Sequence, residues 1–213
     1  MRPMNWKEVA TVILAILGAT IACQGSHADP ASVAAIGDSI TARYRLSYSY
    51  PDLLGRWREV PVRNFGVSGE TTAQMLDRLG DVLDSGPTPQ VVVIMGGTND
   101  IARAMPVEGA LRNLQTIAER VRDSGRQPVI VCPPPSGAFR LDRAQALRAG
   151  LRDYARAQGL TFVDSWPAME DPQRRGWLRE ELALDVLHPN EQGQYVLAEQ
   201  IARALGWPVP PPG

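Results

Sequence analysis

Five short apolar runs lie between residues 33 and 163, and the stretches separating them are amphipathic. Val33-Ala34-Ala35-Ile36-Gly37 and Val62-Arg63-Asn64-Phe65 read as the first two strands. Val91-Val92-Val93-Ile94-Met95 is continuous, apolar and largely β-branched, the pattern of a strand covered on both faces. Val129-Ile130-Val131-Cys132 and Thr161-Phe162-Val163 complete the set. A short helix is predicted around Pro51 to Trp57. Helical spacing follows in Met75, Leu76, Leu79, Val82 and Leu83, with Thr71 or Thr72 as its cap. It recurs in Ala110, Leu111, Leu114, Ile117 and Val121, and in Leu141, Ala144, Leu147, Leu151 and Tyr154. An irregular stretch runs from Asp164 to Leu184, a last helix from about Pro189 to Leu205, and a loose or extended proline-rich tail over 207–213.

Strands alternating with helices imply a parallel sheet with helices on both faces and right-handed crossovers. In such sheets ligands bind beyond the C-terminal strand ends. Those ends carry the glycine-rich and polar signals: Asp38-Ser39, Gly66, Gly97-Thr98-Asn99-Asp100 and, after the fifth strand, Asp185-Val186-Leu187-His188.

The N-terminus adds a second feature. Arg2 and Lys7 precede an almost wholly apolar run, Ala10 to Ala22, of export-signal length and short for a membrane span. Ser26-His27-Ala28 has the small residues of a cleavage site, so 1–28 is read as a signal peptide, 29–206 as the domain and 207–213 as the tail. The expected location is periplasmic or secreted. An uncleaved anchor and lipidation at Cys23 are the alternatives; after cleavage no stable membrane span is expected.

Size and charge exclude other classes. The 213 residues suit one domain, and a 44% hydrophobic fraction suits a packed core. A net charge of −1 without a basic stripe speaks against nucleic acid. The only cysteines are Cys23 and Cys132, and the only histidines His27 and His188. Cleavage leaves one of each, too few for an ordinary zinc site or an internal disulfide. A monomer without metal or organic cofactor is expected.

His188 is then the sole imidazole for base chemistry, with Asp185 three residues before it. Taken singly, each strand-end signal has a structural explanation: a turn, a helix cap or a surface pair. Taken in order, Gly37-Asp38-Ser39-Ile40, Asn64-Phe65-Gly66-Val67-Ser68-Gly69, Gly97-Thr98-Asn99-Asp100 and Asp185-Val186-Leu187-His188-Pro189 resemble the four blocks of the SGNH (GDSL) hydrolase superfamily. The likeness spans Ile36 to the last helix, with Ile40 where leucine is usual. It implies a flavodoxin-like three-layer α/β/α sandwich with a five-stranded parallel sheet.

The resemblance also implies roles. Ser39 is the nucleophile, His188 the base that becomes the acid, and Asp185 the residue orienting the imidazole. The Ser39 and Gly66 N–H groups and the Asn99 amide form the oxyanion hole. Asp38 and Asp100 are rival carboxylates expected to organise loops. Ser68 is a rival serine outside a GxSxG elbow, and Cys132 is read as an inert core thiol.

The implied activity is hydrolysis of small-molecule acyl esters or thioesters. Asp38-Ser39-Ile40-Thr41-Ala42-Arg43-Tyr44-Arg45-Leu46 resembles the exported bacterial acyl thioesterase/lysophospholipase/arylesterase branch. Thr98 before Asn99 is frequent in other branches, so a carbohydrate O-acetylesterase is the alternative. A non-catalytic exported binding protein is a third reading. Tyr44, Leu46, Tyr48, Ile101, Met105, Phe139, Trp166 and Trp177 are the expected apolar lining.

Overall fold

The computed structural model of the chain describes residues 32–84, 89–138 and 140–211. The signal-peptide expectation and Phe139 lie outside them.

The sheet has five parallel strands in the order β2-β1-β3-β4-β5: β1 Val33–Gly37, β2 Val62–Gly66, β3 Val91–Met95, β4 Gln127–Val131 and β5 Thr161–Val163. Successive side chains of a strand point to opposite faces, and the core divides accordingly. Ala35, Val93, Val131 and Val163 pack on one face with residues of α1 (Tyr50–Arg58) and α8 (Glu191–Ala204). Ile36, Val92, Ile94 and Ile130 pack on the other with α2 (Thr72–Asp77), α3 (Leu79–Asp84), α5 (Val107–Asp123) and α6 (Leu141–Gln158). Every residue of β3 is buried, as its continuous apolar run predicts. The three layers are those expected from the sequence.

Register matters more than layering for function. Gly37 pairs with Gly66 on one side and with Met95 on the other. The C-terminal ends of β1, β2 and β3 therefore stand level. The order in which successive strands are added reverses between β1 and β3, so the level edge includes the topological switch point where such sheets bind ligands. The short helix α4 (Thr98–Ala102) begins there.

Three boundaries differ from the sequence reading. The helix expected through Met75 and Leu83 is two helices, α2 and α3, divided at Arg78. Arg78 is used elsewhere: its guanidinium reaches the ends of β1 and β2. The stretch 164–184 contains α7 (Trp166–Met169) and a 3₁₀ turn at Glu180–Leu182. The last helix starts after Asn190, whose side chain caps it through the Gly193 N–H at 2.9 Å.

The tail is docked rather than loose over its described residues. Trp207 and Val209 pack against the core cluster beneath α1 and α8. Arg58 lies over the Trp207 ring at 5.1 Å, and the Tyr195 hydroxyl donates to Pro210 O. Proline content removed N–H donors without preventing apolar burial. Trp207→Ala is expected to lower the unfolding free energy by about 1–2 kcal/mol, the scale of a largely buried aromatic side chain. Urea denaturation checks this, and a change below about 0.3 kcal/mol contradicts a docked tail.

Candidate active site

The turn after β1 presents Ser39 at the sheet edge. Asp38 Oδ1 accepts from the Ile40 N–H at 3.0 Å, and Asp38 O accepts from the Ala42 N–H at 3.0 Å. This turn leaves the Ser39 residue only 6% exposed. Ser39 Oγ lies 3.0 Å from His188 Nε2. His188 Nδ1 lies 3.0 Å from each Asp185 oxygen. A carboxylate only accepts, so Nδ1 carries the ring proton and the Nε2 lone pair faces the serine hydroxyl.

The loop bearing Asp185 and His188 is rigidly held. Asp185 Oδ1 accepts from the Leu187 and His188 N–H groups at 2.9 and 2.8 Å. Leu184 N–H donates to His188 O at 2.8 Å, and the Ser136 hydroxyl donates to Val186 O at 3.0 Å. Burial pushes the Asp185 carboxyl upward, but the His188 and Leu187 N–H groups and the His188 ring outweigh it and hold it below its ordinary value. Asp185 therefore stays ionised at neutral pH.

The rival carboxylates are otherwise engaged. Asp100 is buried and accepts from the Thr72 N–H at 3.0 Å and the Thr72 hydroxyl at 2.7 Å, tying α2 to α4. Asp38 makes no hydrogen bond to His188 among the described residues, although the imidazole is near enough to act on its charge. Ser68 is exposed. Burial pushes the Cys132 thiol well up, as expected of an inert core cysteine.

Asn99 stands at the third strand end, its Nδ2 donating to Glu70 O at 2.9 Å. Gly66 lies against other backbone. Its N–H donates to Asn64 Oδ1 at 2.8 Å. A Cβ there would lie 2.2 Å from Ala42 N and 2.6 Å from Thr41 C. The close approach is to the protein's own serine-bearing turn. Gly69, three residues on, has φ +82°. Among the described residues the N–H groups of Ser39 and Gly69 have no hydrogen-bond partner.

Sequence reasoning missed the side chains that hold this loop. Arg78 Nε lies 2.7 and 2.8 Å from the two Glu70 oxygens, while its Nη2 donates to Phe65 O at 2.7 Å and Gly37 O at 3.3 Å. Arg103 Nη2 donates to Gly69 O at 2.7 Å. Nothing in helical periodicity distinguishes Arg78 from a solvated arginine.

The expected apolar lining is only partly realised. Ile101 and Trp166 are buried, and Trp166 Nε1 donates to Pro133 O at 2.8 Å, so both pack the interior. Tyr48 packs against the core and Trp177 fills the space above Gly137. Tyr44 lies on the His188 ring, with centroids 4.3 Å apart. Met105 is exposed. A cleft of about 540 Å³ opens beside Asp185 and Val186, bordered by Asp171, Arg174, Trp177 and Glu180. Its border is more polar than the sequence suggested. Among the described residues no group of three or more His, Cys, Asp or Glu side chains is placed to hold a metal ion, and no helix is long and apolar enough to cross a membrane.

Known proteins are similar to this chain. Residues 35–196 match the GDSL-like Lipase/Acylhydrolase family. An arylesterase of Vibrio mimicus is 30% identical over 180 residues, covering 80% of this chain and 86% of that protein. Thioesterase 1/protease 1/lysophospholipase L1 of Escherichia coli K12 is 28% identical over 184 residues, covering 80% and 81%. Among solved structures, a lipase/acylhydrolase from Enterococcus faecalis has a TM-score of 0.70 at 25% identity over 85% of this chain and 100% of its own. A GDSL-like lipase from Bacteroides thetaiotaomicron has a TM-score of 0.71 at 24% identity over 92% and 96%.

Asp38 gives this edge a pH signature. Desolvation outweighs the Ile40 N–H and raises its carboxyl from 3.8 to about 6. Among the described residues its Oδ2 and the Thr98 hydroxyl, which lies near enough to lower the carboxyl somewhat, are buried without a fully formed hydrogen bond. The unfolded chain ionises Asp38 near 3.8, while the folded chain keeps the proton until about 6. Stability therefore falls as pH rises through that window, and the penalty is complete above it. Asp38→Asn, which keeps an acceptor for Ile40, is expected to remove this slope and be relatively more stable at pH 7 than at pH 4. Equal stability changes at the two pH values contradict this reading.

Proposed function

The chain belongs to the GDSL-like Lipase/Acylhydrolase family and is a serine ester hydrolase, and on that premise we propose that Ser39, His188 and Asp185 are its catalytic residues, acting on acyl esters or thioesters through an acyl-serine intermediate. The observation carrying this reading is the unbroken line from Ser39 Oγ to His188 Nε2 and from His188 Nδ1 to Asp185, with each link 3.0 Å.

The geometry supports the following sequence. Ser39 Oγ attacks the substrate carbonyl carbon as its proton passes to His188 Nε2. Asp185 keeps Nδ1 protonated and stabilises the imidazolium. The carbonyl π pair moves to oxygen, giving a tetrahedral oxyanion. Collapse re-forms the carbonyl and breaks the bond to the alcohol or thiol, which takes the proton from Nε2. Water then repeats the cycle on the acyl-serine, releasing the acid and restoring Ser39.

The oxyanion requires donors preorganised at the strand ends. The free Ser39 N–H and the Asn99 amide support two of the expected three. Gly66, the expected third, has its N–H committed to Asn64. Gly69 is the better candidate, since its N–H is free and the next residue's carbonyl holds the Asn99 amide. The roles of Glu70, Arg78 and Arg103 are then to hold this donor segment.

The V. mimicus arylesterase and the E. coli thioesterase/lysophospholipase support acyl esters or thioesters as substrates. We further propose export to the periplasm or medium, with residues 1–28 as a cleaved signal, 29–206 as the hydrolase domain and 207–213 as its tail. This rests on the basic start, apolar run and Ser26-His27-Ala28. The N-terminal sequence of the protein recovered from culture tests it: a start at Asp29 is expected, and a chain retaining Met1 contradicts it.

His188→Ala is expected to lower kcat on p-nitrophenyl esters by at least ~10⁴-fold, and Asn99→Ala by about 100- to 1,000-fold with KM little changed. Full activity of His188→Ala sinks the mechanism. Turnover across acyl chain length is expected to rise from acetyl to octanoyl esters. Release of acetate from acetylated glycans without medium-chain activity selects the carbohydrate O-acetylesterase instead.

A further inference from the structure

The catalytic reading gives a role to every polar group around His188 but not to the ring lying on it. Tyr44 stacks on the imidazole with centroids 4.3 Å apart and planes 28° from parallel. It is only five residues beyond Ser39, yet it sits on a side chain from the far end of the chain. The turn carrying it is built for that placement. Leu46 N–H donates to Arg43 O at 3.3 Å, closing a tight turn in which Arg45 takes a left-handed φ of 57°. One flank is tethered to α1, where Arg43 Nε donates to Asp52 Oδ2 at 2.9 Å. The other flank is tethered to α8, where Ser47 N–H donates to Glu191 Oε1 at 3.2 Å. Glu191 follows His188 by three residues, so the second tether ties the Tyr44 turn to the segment that carries the imidazole.

From this arrangement we infer that Tyr44 is a positioning residue, whose ring holds the His188 imidazole on the Ser39–Asp185 line and stabilises the imidazolium formed during each transfer. The inference rests on the proposed roles of Ser39, His188 and Asp185. Asp185 fixes Nδ1 and Ser39 engages Nε2. Both bonds lie at the ring's edge, in its plane, so neither opposes tilting of the plane. A second ring against one face does. It also keeps water from that face, and its electron-rich π surface attracts the charge that appears when Nε2 takes the serine proton. The substrate carbonyl in its ground state gains nothing from this contact, so the effect belongs in kcat.

The test compares Tyr44→Phe, Tyr44→Leu and Arg43→Ala with wild type, using full-chain enzyme and p-nitrophenyl octanoate. Phe keeps a ring in place and is expected to retain kcat within about twofold. Leu fills space without a π face and is expected to lower kcat by roughly 3- to 30-fold at near-constant KM, the worth of a cation–π contact. Arg43→Ala frees one tether from an exposed side chain and is expected to lower kcat by a smaller factor. In proton NMR, the His188 ring C–H signals of wild type and Tyr44→Phe are expected upfield of those in Tyr44→Leu, because a stacked aromatic ring shields them. Unchanged kcat in Tyr44→Leu overturns the inference. So does a loss carried wholly by KM, which makes Tyr44 a substrate contact, or an equal loss in Tyr44→Phe, which makes the hydroxyl responsible. Should Tyr44→Leu fail to fold, Tyr44→Phe and Arg43→Ala still decide the point. A wild-type enzyme inert toward esters removes the proposed function instead, and the NMR comparison then still decides whether the stack exists.

Discussion

The level ends of β1, β2 and β3 are the constraint on which the site depends. Gly37 is paired with Gly66 and with Met95 in one row, so the segments bearing Ser39, Gly69 and Asn99 leave the sheet side by side. A one-residue slip of any of these strands would send its buried side chains to the wrong face. The two apolar clusters that sandwich the sheet thus fix the register, and the register fixes where the reactive groups begin. The geometry of the candidate site is to this extent a consequence of core packing.

Polar side chains convert level strand ends into a shaped edge. Arg78 binds the terminal carbonyls of β1 and β2 and the Glu70 carboxylate together. Asp100 ties the start of α2 to α4 through Thr72. On the other face, buried Gln194 of α8 accepts from the Tyr50 N–H at 2.8 Å and donates to Ile40 O at 3.0 Å, bracing the serine turn from behind. A buried ion pair such as Arg78–Glu70 contributes little net stability, because desolvation offsets its attraction. The worth of these contacts is positional: each fixes a backbone segment that carries a group of the site. Asp38 marks the cost of such construction, since its turn-forming carboxylate is buried deeply enough to lift its ionisation to about 6.

The layers were legible because continuous apolar strands and helical spacing report directly on which faces are covered. Ser39, Asn99, Asp185 and His188 were legible because topology puts successive strand ends on one edge. What escaped was governed by contacts between side chains distant in sequence. Gly66 reads as a glycine required for close approach, but only the structure shows the approaching partner to be the backbone at Thr41 and Ala42. Arg78 looks like a helix-surface residue until the ends of β1 and β2 arrive beside it. Trp166 and Ile101 look like pocket residues because apolarity does not distinguish a lining from an interior. The tail looks loose because proline predicts the absence of a helix, not the absence of packing.

We propose acyl transfer to the Ser39 hydroxyl, activated through His188 and Asp185. The most direct measurement is peptide mass spectrometry of enzyme quenched by acid during turnover of a slowly deacylating p-nitrophenyl ester. An added acyl mass is expected on the peptide containing Ser39, and none on the same peptide of Ser39→Ala. An acyl mass on Ser68, or steady turnover by Ser39→Ala, would contradict it.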